Sequence, residues 1–357
     1  LTACSAHVVE VRVERQEGHK SNHGRLSSLG NLGRTAVRQI QSMVSLFRQR
    51  ERIKGSDVYF VPYPAYLDLL LLQCLLWRRS RSEYRLVIDA FLCLHDTLVN
   101  DRRMLPANGI LARMAYWLER RTLRAADLVF IDTEQQESLL QGTYHLESER
   151  LAAVPVGIDE SVWRPCPPKP LSGRFRVLFW GTFIPLHGIE TIVRAAALLE
   201  VTDPDIGIEL VGDGQTADTA AELIDELRIG SIIWHRKLLP AAELRERLDY
   251  SHCVLGVFGE SEKAGNVIPY KAYQTLASNK ILVTRSGPAV YGLTRGKDVA
   301  GLVLVPPGNA EALADALRSV YRTYDSVSHR VETRKLYDRY LSQEKLYDRV
   351  AEEVAKL

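Results

Sequence analysis

The chain reads as an α/β protein made of two doubly wound, parallel-sheet (Rossmann-like) domains that face one another across a cleft. Three observations lead there. Its 357 residues exceed the length at which a single hydrophobic core usually stops growing. Short apolar runs alternate with helical stretches along most of the chain, which is the rhythm of a parallel sheet covered on both faces. A Pro/Gly cluster, "PCPPKPLSG" at 165–173, interrupts that rhythm, which restarts after it.

Taken in order, "VVEVRVE" at 8–14 alternates like a half-buried strand, 18–34 is a loop, and 35–53 is a basic helix. "DVYFVPYP" (57–64) is a strand, 66–79 a buried helix, "YRLVIDAFL" (84–92) a strand and 109–126 a helix. "DLVFIDT" (127–133) is a strand, "EQQESLLQ" a helix, and "LAAVPVGID" (151–159) closes this half. After the Pro/Gly cluster, strands are expected at 175–183, 206–214, 231–238, 253–259, 280–287 and 301–308, each separated by helix. A charged helix pair ends the chain. The resulting boundaries are an acceptor-side domain over 1–166, a second domain over 167–328, and C-terminal helices over 329–357 that pack back on the first domain.

Composition excludes some classes. With 46% hydrophobic and 25% charged residues and a net charge of +2, nothing draws the chain to nucleic acid. Five cysteines without metal or CxxC spacing read as reduced and mostly buried, hence intracellular, in the cytoplasm. The most apolar stretch, "YLDLLLLQCLLW" at 66–77, is too short to span a bilayer. The basic run at 34–54 suits either a solvated helical face or peripheral contact with anionic lipid on the inner face of the membrane.

Several strands end in small residues on the carboxyl side: "WGT" (180–182), "GDG" (212–214) and "FGES" (258–261). Ligands of open parallel sheets bind at that side, although each loop taken singly is also ordinary turn chemistry. In "WGTFIPLHG", Gly181 lets the backbone approach a phosphate, Thr182 adds a hydroxyl and His187 an imidazole donor. In "ESEKAGNVIPYKAYQ", Pro269 suits the first position of a helix. Lys263 and Lys271 flank that start and, with Val267 and Ile268, make an anion site or a plain solvated pair. Lys237, within the strand expected at 231–238, is a further donor-side cation. In the first half, Asp89 closes a strand, with His95 and Asp96 just beyond. They can orient or deprotonate an acceptor hydroxyl, or else cap a turn. Metal ligands are not expected, and neither GxGxxG nor a P-loop is present.

From about residue 57 to 320 the sequence resembles a retaining glycosyltransferase of the GT-B fold, of glycosyltransferase family 4 (group 1). "VPVGIDESVWRP", "FWGTFIPLHGIETIVRAAALL", "IELVGDG" and "IPYKAYQTLASNKILVTRSGPA" resemble, in order and spacing, four elements of that family's second domain. The resemblance implies a nucleoside diphosphate sugar as donor, a sugar or lipid-linked acceptor at the first domain, and no separate cofactor. The arginine and lysine that grip the diphosphate in the family fall near Thr182 and His187. Lys271 and Lys263 are the expected replacements. The family's paired glutamates fall on Asn266, near the donor sugar, and Gln274, which can still hold a ribose hydroxyl. The strand and glycine loop that open such a first domain are not recognisable before residue 8. The expected reaction is front-face transfer with retention, with Asp89, His95, Asn266 and Lys271 at the reacting centre, in glycan, polysaccharide or glycolipid synthesis. A catalytically silent subunit that binds a nucleotide or a partner transferase stands as the alternative.

Overall fold

The computed structural model describes residue 44 and residues 47–357, apart from 54, 64 and 92. The strand expected at 8–14, the loop at 18–34 and most of the basic helix at 35–53 lie outside the described residues. The first half comprises α1 (Arg50–Ile53), β1 (Val58–Val61), α2 (Ala65–Leu75), β2 (Arg85–Asp89), α3 (Ile110–Ala125), β3 (Leu128–Ile131), α4 (Glu134–Tyr144) and β4 (Leu151–Ala153). Its four strands pair in parallel in the order β1-β2-β3-β4.

Beyond the Pro/Gly cluster lie β5 (Phe175–Trp180), α5 (Ile189–Thr202), β6 (Ile206–Val211), α6 (Ala217–Glu226), β7 (Ile232–His235), α7 (Ala241–Tyr250) and β8 (Cys253–Leu255). They are followed by α8 (Glu262–Asn266), α9 (Tyr270–Ala277), β9 (Ile281–Arg285), α10 (Pro288–Thr294), β10 (Leu302–Val305), α11 (Ala310–Val327), α12 (Thr333–Tyr340) and α13 (Gln343–Val354). The six strands are all parallel, in the order β10-β9-β8-β5-β6-β7. Counted from β5, that is the doubly wound order 3-2-1-4-5-6, whose chain direction reverses between β5 and β8. The crevice at the carboxyl ends of these two strands is where such sheets take ligands, so topology alone selects the loops after Trp180 and Leu255.

The central strand shows why the sequence folds this way. Phe175, Val177 and Phe179 are buried on one face with Ile192 and Val193 of α5 and Leu317 of α11. Leu178 and Trp180 are buried on the other with Tyr273 and Leu276 of α9 and Tyr337 of α12. A strand covered on both faces is apolar throughout rather than alternating. Among the described residues each strand expected from 57 onward appears, shortened mainly at its carboxyl end where glycine and small residues leave the ladder.

The helix expected to be wholly buried is instead half-exposed. In α2 the stripe Ala65, Leu69 and Leu72 faces the sheet, followed by Leu76, while Leu67 and Cys74 face outward. The i, i+4, i+7 spacing gives one buried face, and an apolar run does not reveal which of its members occupy it. Cys93 and Cys253 are buried, with thiols pushed to high pKa by burial, and the described cysteines are free. The C-terminal pair returns across the molecule. Leu336 and Tyr337 of α12 lie against α9, and Leu346, Val350 and Val354 of α13 cover Val87 and Phe130 of the first sheet. Among the described residues no helix is long and apolar enough to cross a membrane.

Candidate active site

At the switch point the loops after β5, β6 and β8 meet through glycines. Gly181 (φ 145°) and Gly212 (φ 142°) are in conformations that side chains rarely adopt. A Cβ on Gly212 would lie 1.9 Å from the Gly181 carbonyl oxygen, and one on Gly188 (φ 63°) would lie 2.6 Å from the Gly259 nitrogen. The loops therefore approach backbone to backbone. Arg285, buried at the end of β9, fastens the loop after β8 by donating to the Gly259 carbonyl at 2.6 Å and the Ser261 carbonyl at 3.1 Å. Gly212→Ala is expected to cost on the order of 2–3 kcal/mol of stability, read as a lower denaturant midpoint at unchanged slope.

Two unpartnered groups aim at this cradle. Lys271, in the first turn of α9, is buried, and its Nζ has no hydrogen-bond partner among the described residues. It sits 3.6 Å from the centre of the Phe179 ring. Burial holds its pKa well below 10.5. His187 is also buried, with Nδ1 unpartnered among the described residues and its pKa held well below 6.5, first by burial and then by Lys271. A Cβ on Gly181 would lie 3.2 Å from Lys271 Nζ and 3.0 Å from the His187 ring. A bare glycine thus carries an ammonium and an imidazole on its flank, and buried polar atoms are rarely left without a partner.

The first half contributes as well. Residues Asp96–Asp101 form a π-helical turn, closed by Arg102 N–H donating to the Thr97 carbonyl at 2.9 Å. Such turns are rare and concentrate at functional sites. This one presents Asp96 and Thr97 to Lys263: the ammonium lies 3.2 Å from Asp96 Oδ2 and donates to Thr97 Oγ1 at 2.6 Å. Lys263 belongs to α8 and its charge is answered within the protein. Arg102 takes a different direction. Gln215, after the β6 loop, donates to its carbonyl at 3.0 Å, and its guanidinium acts electrostatically on His187 and Tyr63. Its Nε has no partner among the described residues.

The remaining candidates are distributed around this centre. Pro269 is not the first helical residue. With φ −66° and ψ 146° it is the cap before Tyr270, its carbonyl accepting from Ala272 at 2.7 Å. Val267 is extended after α8, and Ile268 is buried in the core. The Asn266 carbonyl accepts from Thr133 at 2.6 Å, joining α8 to the start of α4. Gln274 is buried and its Oε1 accepts from the Trp180 indole at 3.2 Å. Thr182 is exposed beside Gly181. Lys237 is exposed after β7, at the sheet edge two strands from β5. Asp89 caps its own strand end by accepting from Phe91 N–H at 2.9 Å, and burial raises its pKa. The His95 ring stacks edge-on with Tyr116, centroids 5.6 Å apart.

Sequence reasoning missed Arg102 and Asp132. Asp132 directly follows β3 and is buried, with Oδ1 unpartnered among the described residues and its pKa pushed up to about 7 by burial. Only its place at a strand end signalled it. A raised folded pKa lends stability in acid that is lost as pH rises through about 7. Asp132→Asn is therefore expected to remove a fall in unfolding midpoint that the parent shows between about pH 4 and 7.5. Equal pH profiles for the two proteins would contradict this. The Asp203-Pro204-Asp205 spacing, also missed, is not a cation site in this structure: Asp203 pairs with Arg318 at 2.7 Å and Arg322 at 3.6 Å.

Residues 174–323 match the family model of the glycosyl transferases group 1. The second half of the chain is similar to the group 1 glycosyltransferases. The same half overlaps a curated relative, the alpha-maltose-1-phosphate synthase of Mycolicibacterium smegmatis, 27% identical over 154 residues. That alignment spans 38% of this chain and 39% of the relative's length. The chain is similar in structure to HepE of Anabaena, solved with UDP and glucose, at TM-score 0.67 and 14% identity over 93% of this chain and 84% of that one. It is also similar to the sucrose-phosphate synthase of Thermosynechococcus elongatus, at TM-score 0.66 and 16% identity over 90% of this chain and 78% of that one. The two-sheet α/β architecture is thus the GT-B fold, and the glycine cradle lies at the carboxyl ends of the second sheet's central strands.

Proposed function

We propose that this chain transfers a sugar, with retention, from a nucleoside diphosphate sugar to an acceptor hydroxyl in glycan, polysaccharide or glycolipid synthesis. The observation that carries the reading is the pair of unpartnered groups, Lys271 Nζ and His187 Nδ1, set against Gly181 at the switch point. Breaking a sugar–diphosphate bond demands stabilisation of the departing charge, and a desolvated ammonium meets that demand strongly. The diphosphate lies along Gly181 and Thr182. Lys271 neutralises it as it leaves, Arg102 adds charge from the first half, and His187, kept neutral by burial, walls the flank of Gly181 beside Lys271. The first turn of α9 offers backbone N–H groups to the same anion.

The acceptor hydroxyl attacks from the face on which the diphosphate departs. Asp89, His95 and Asp132 are the first-half groups assigned to the acceptor in this reading. Gln274 orients the ribose with its amide N–H₂, since its carbonyl is engaged by Trp180, and Asn266 sits towards the sugar. The diphosphate charge is assigned to fixed cations instead of a metal. Lys263 serves by holding the two halves in register through Asp96.

Calorimetry with UDP and GDP, followed by a donor hydrolysis assay, tests the reading. The expected result is tight binding of one diphosphate and slow release of sugar from its conjugate. Binding without hydrolysis or transfer would return the silent subunit, and failure to bind either nucleotide would sink both.

A further inference from the structure

Helix α3 is packed in reverse. Its inner stripe is Ala112, Ala115, Glu119, Thr122 and Leu123, all buried. Its outer face carries Ile110 (77% exposed), Leu111 (61%), Met114 (60%) and Trp117 (61%). A helix ordinarily turns its large apolar residues to the core. Here Leu123 is the one large apolar residue on the fully buried face, the rest of which is small or polar, and four large apolar side chains form one contiguous stripe towards solvent, well beyond scattered surface exposure. The charged residues beside that stripe are Arg113, Arg120, Arg121 and Arg124, and the helix's single acid, Glu119, points inward. Arg121 lies 5.8 Å from the Trp117 ring, a cation over an aromatic face.

We infer that the outer face of α3 docks on an anionic lipid surface. Large apolar residues with an indole, flanked by arginines alone, match an interface that is apolar below and negative above. Negative charge must come from the partner. The chain's own residues 1–43 do not supply it, since they hold six arginines and lysines against three glutamates. The inner face of the same helix reaches the cleft: Glu119 accepts from the main-chain N–H groups of Leu94 and His95 at 2.6 and 2.9 Å. A membrane-bound α3 therefore sets the first-half side of the cleft at the lipid headgroups, where the sugar head of a lipid-linked acceptor lies. That last step rests on the transferase reading; the docking does not.

The full chain is sedimented with vesicles of phosphatidylcholine alone and with vesicles containing phosphatidylglycerol. Binding to the anionic vesicles is expected to be about 10-fold stronger, and to fall by about 10-fold in Trp117→Ser/Met114→Ser and in Arg113→Gln/Arg121→Gln. Val201→Ser, changed at an exposed apolar residue of α5, keeps the parent's binding. Because the replaced α3 side chains are exposed, unchanged unfolding midpoints certify the variants. Equal binding by parent and α3 variants, or indifference to lipid charge, overturns the inference. So does a change from dimer to monomer in the α3 variants with vesicle binding intact, or binding that appears only once residues 1–43 are removed. Loss of acceptor transfer with vesicle binding retained would count against the transferase reading and leave the docking in place.

Discussion

Lys271→Met is expected to weaken nucleoside diphosphate binding by about 100-fold and, in the same protein, to raise the unfolding midpoint without nucleotide. The two effects share one cause. Lys271 is buried without a hydrogen-bond partner among the described residues, so the free protein bears the desolvation cost of a group that only an anion can answer. Methionine fills the same volume without that cost. The sign with pH is fixed by the same burial. A lysine whose folded pKa is depressed binds fewer protons than the unfolded chain, so stability is lost as pH falls below 10.5 towards the lowered value. Methionine removes that loss. Diphosphate binding favours the charged form, so any change in protonation on binding is an uptake. Calorimetry in buffers of different ionisation enthalpy should show uptake in the parent and less in Lys271→Met. Unchanged affinity in the variant would remove Lys271 from the site.

Glu119→Gln is expected to destabilise the first half by about 3 kcal/mol, and Glu119→Ala by more. Four donors converge on this fully buried carboxyl group. Oε1 accepts from Tyr66 OH at 2.8 Å and Leu94 N–H at 2.6 Å, and Oε2 from Tyr144 OH at 2.6 Å and His95 N–H at 2.9 Å. Burial, reinforced by Glu119, raises the pKa of both tyrosines, which stay donors throughout the accessible range. A glutamine must turn an N–H₂ towards one pair of donors whichever way it is placed. Glutamine therefore does not rescue, as it would where a carboxylate only filled space. Equilibrium urea unfolding measures the loss. A Glu119→Gln midpoint equal to the parent's would show the network to be unimportant. The two main-chain donors belong to the segment that carries His95, so surviving protein should also show a lower kcat.

Much of this was legible in sequence because the signals were local. Phe175 to Trp180 announces a doubly covered strand by being apolar except at Arg176, and Gly181 and Lys271 are marked by their places at a strand end and a helix start in the same half. Pairings between distant segments were not legible. Lys263 reads as a free cation until the fold brings Asp96 beside it, and Arg102 reads as one basic residue among several until Gln215 fixes its backbone. The period of α3 was readable while its orientation was not, since periodicity gives the stripes but not which one faces the sheet.

The π-helical turn at 96–101 has a further consequence. Such a turn is equivalent to one extra residue accommodated in a helix, and each helical residue advances about 100° around the axis. Deleting one residue, Val99 for instance, would restore ordinary winding and swing the downstream chain by about that angle, carrying Arg102 off the glycine loop of the other half. The cleft's third cation is thus set by a count of residues as much as by their kind: the turn works as a phase adjuster between the two sheets, and shortening it should weaken diphosphate binding while every proposed ligand stays in the sequence.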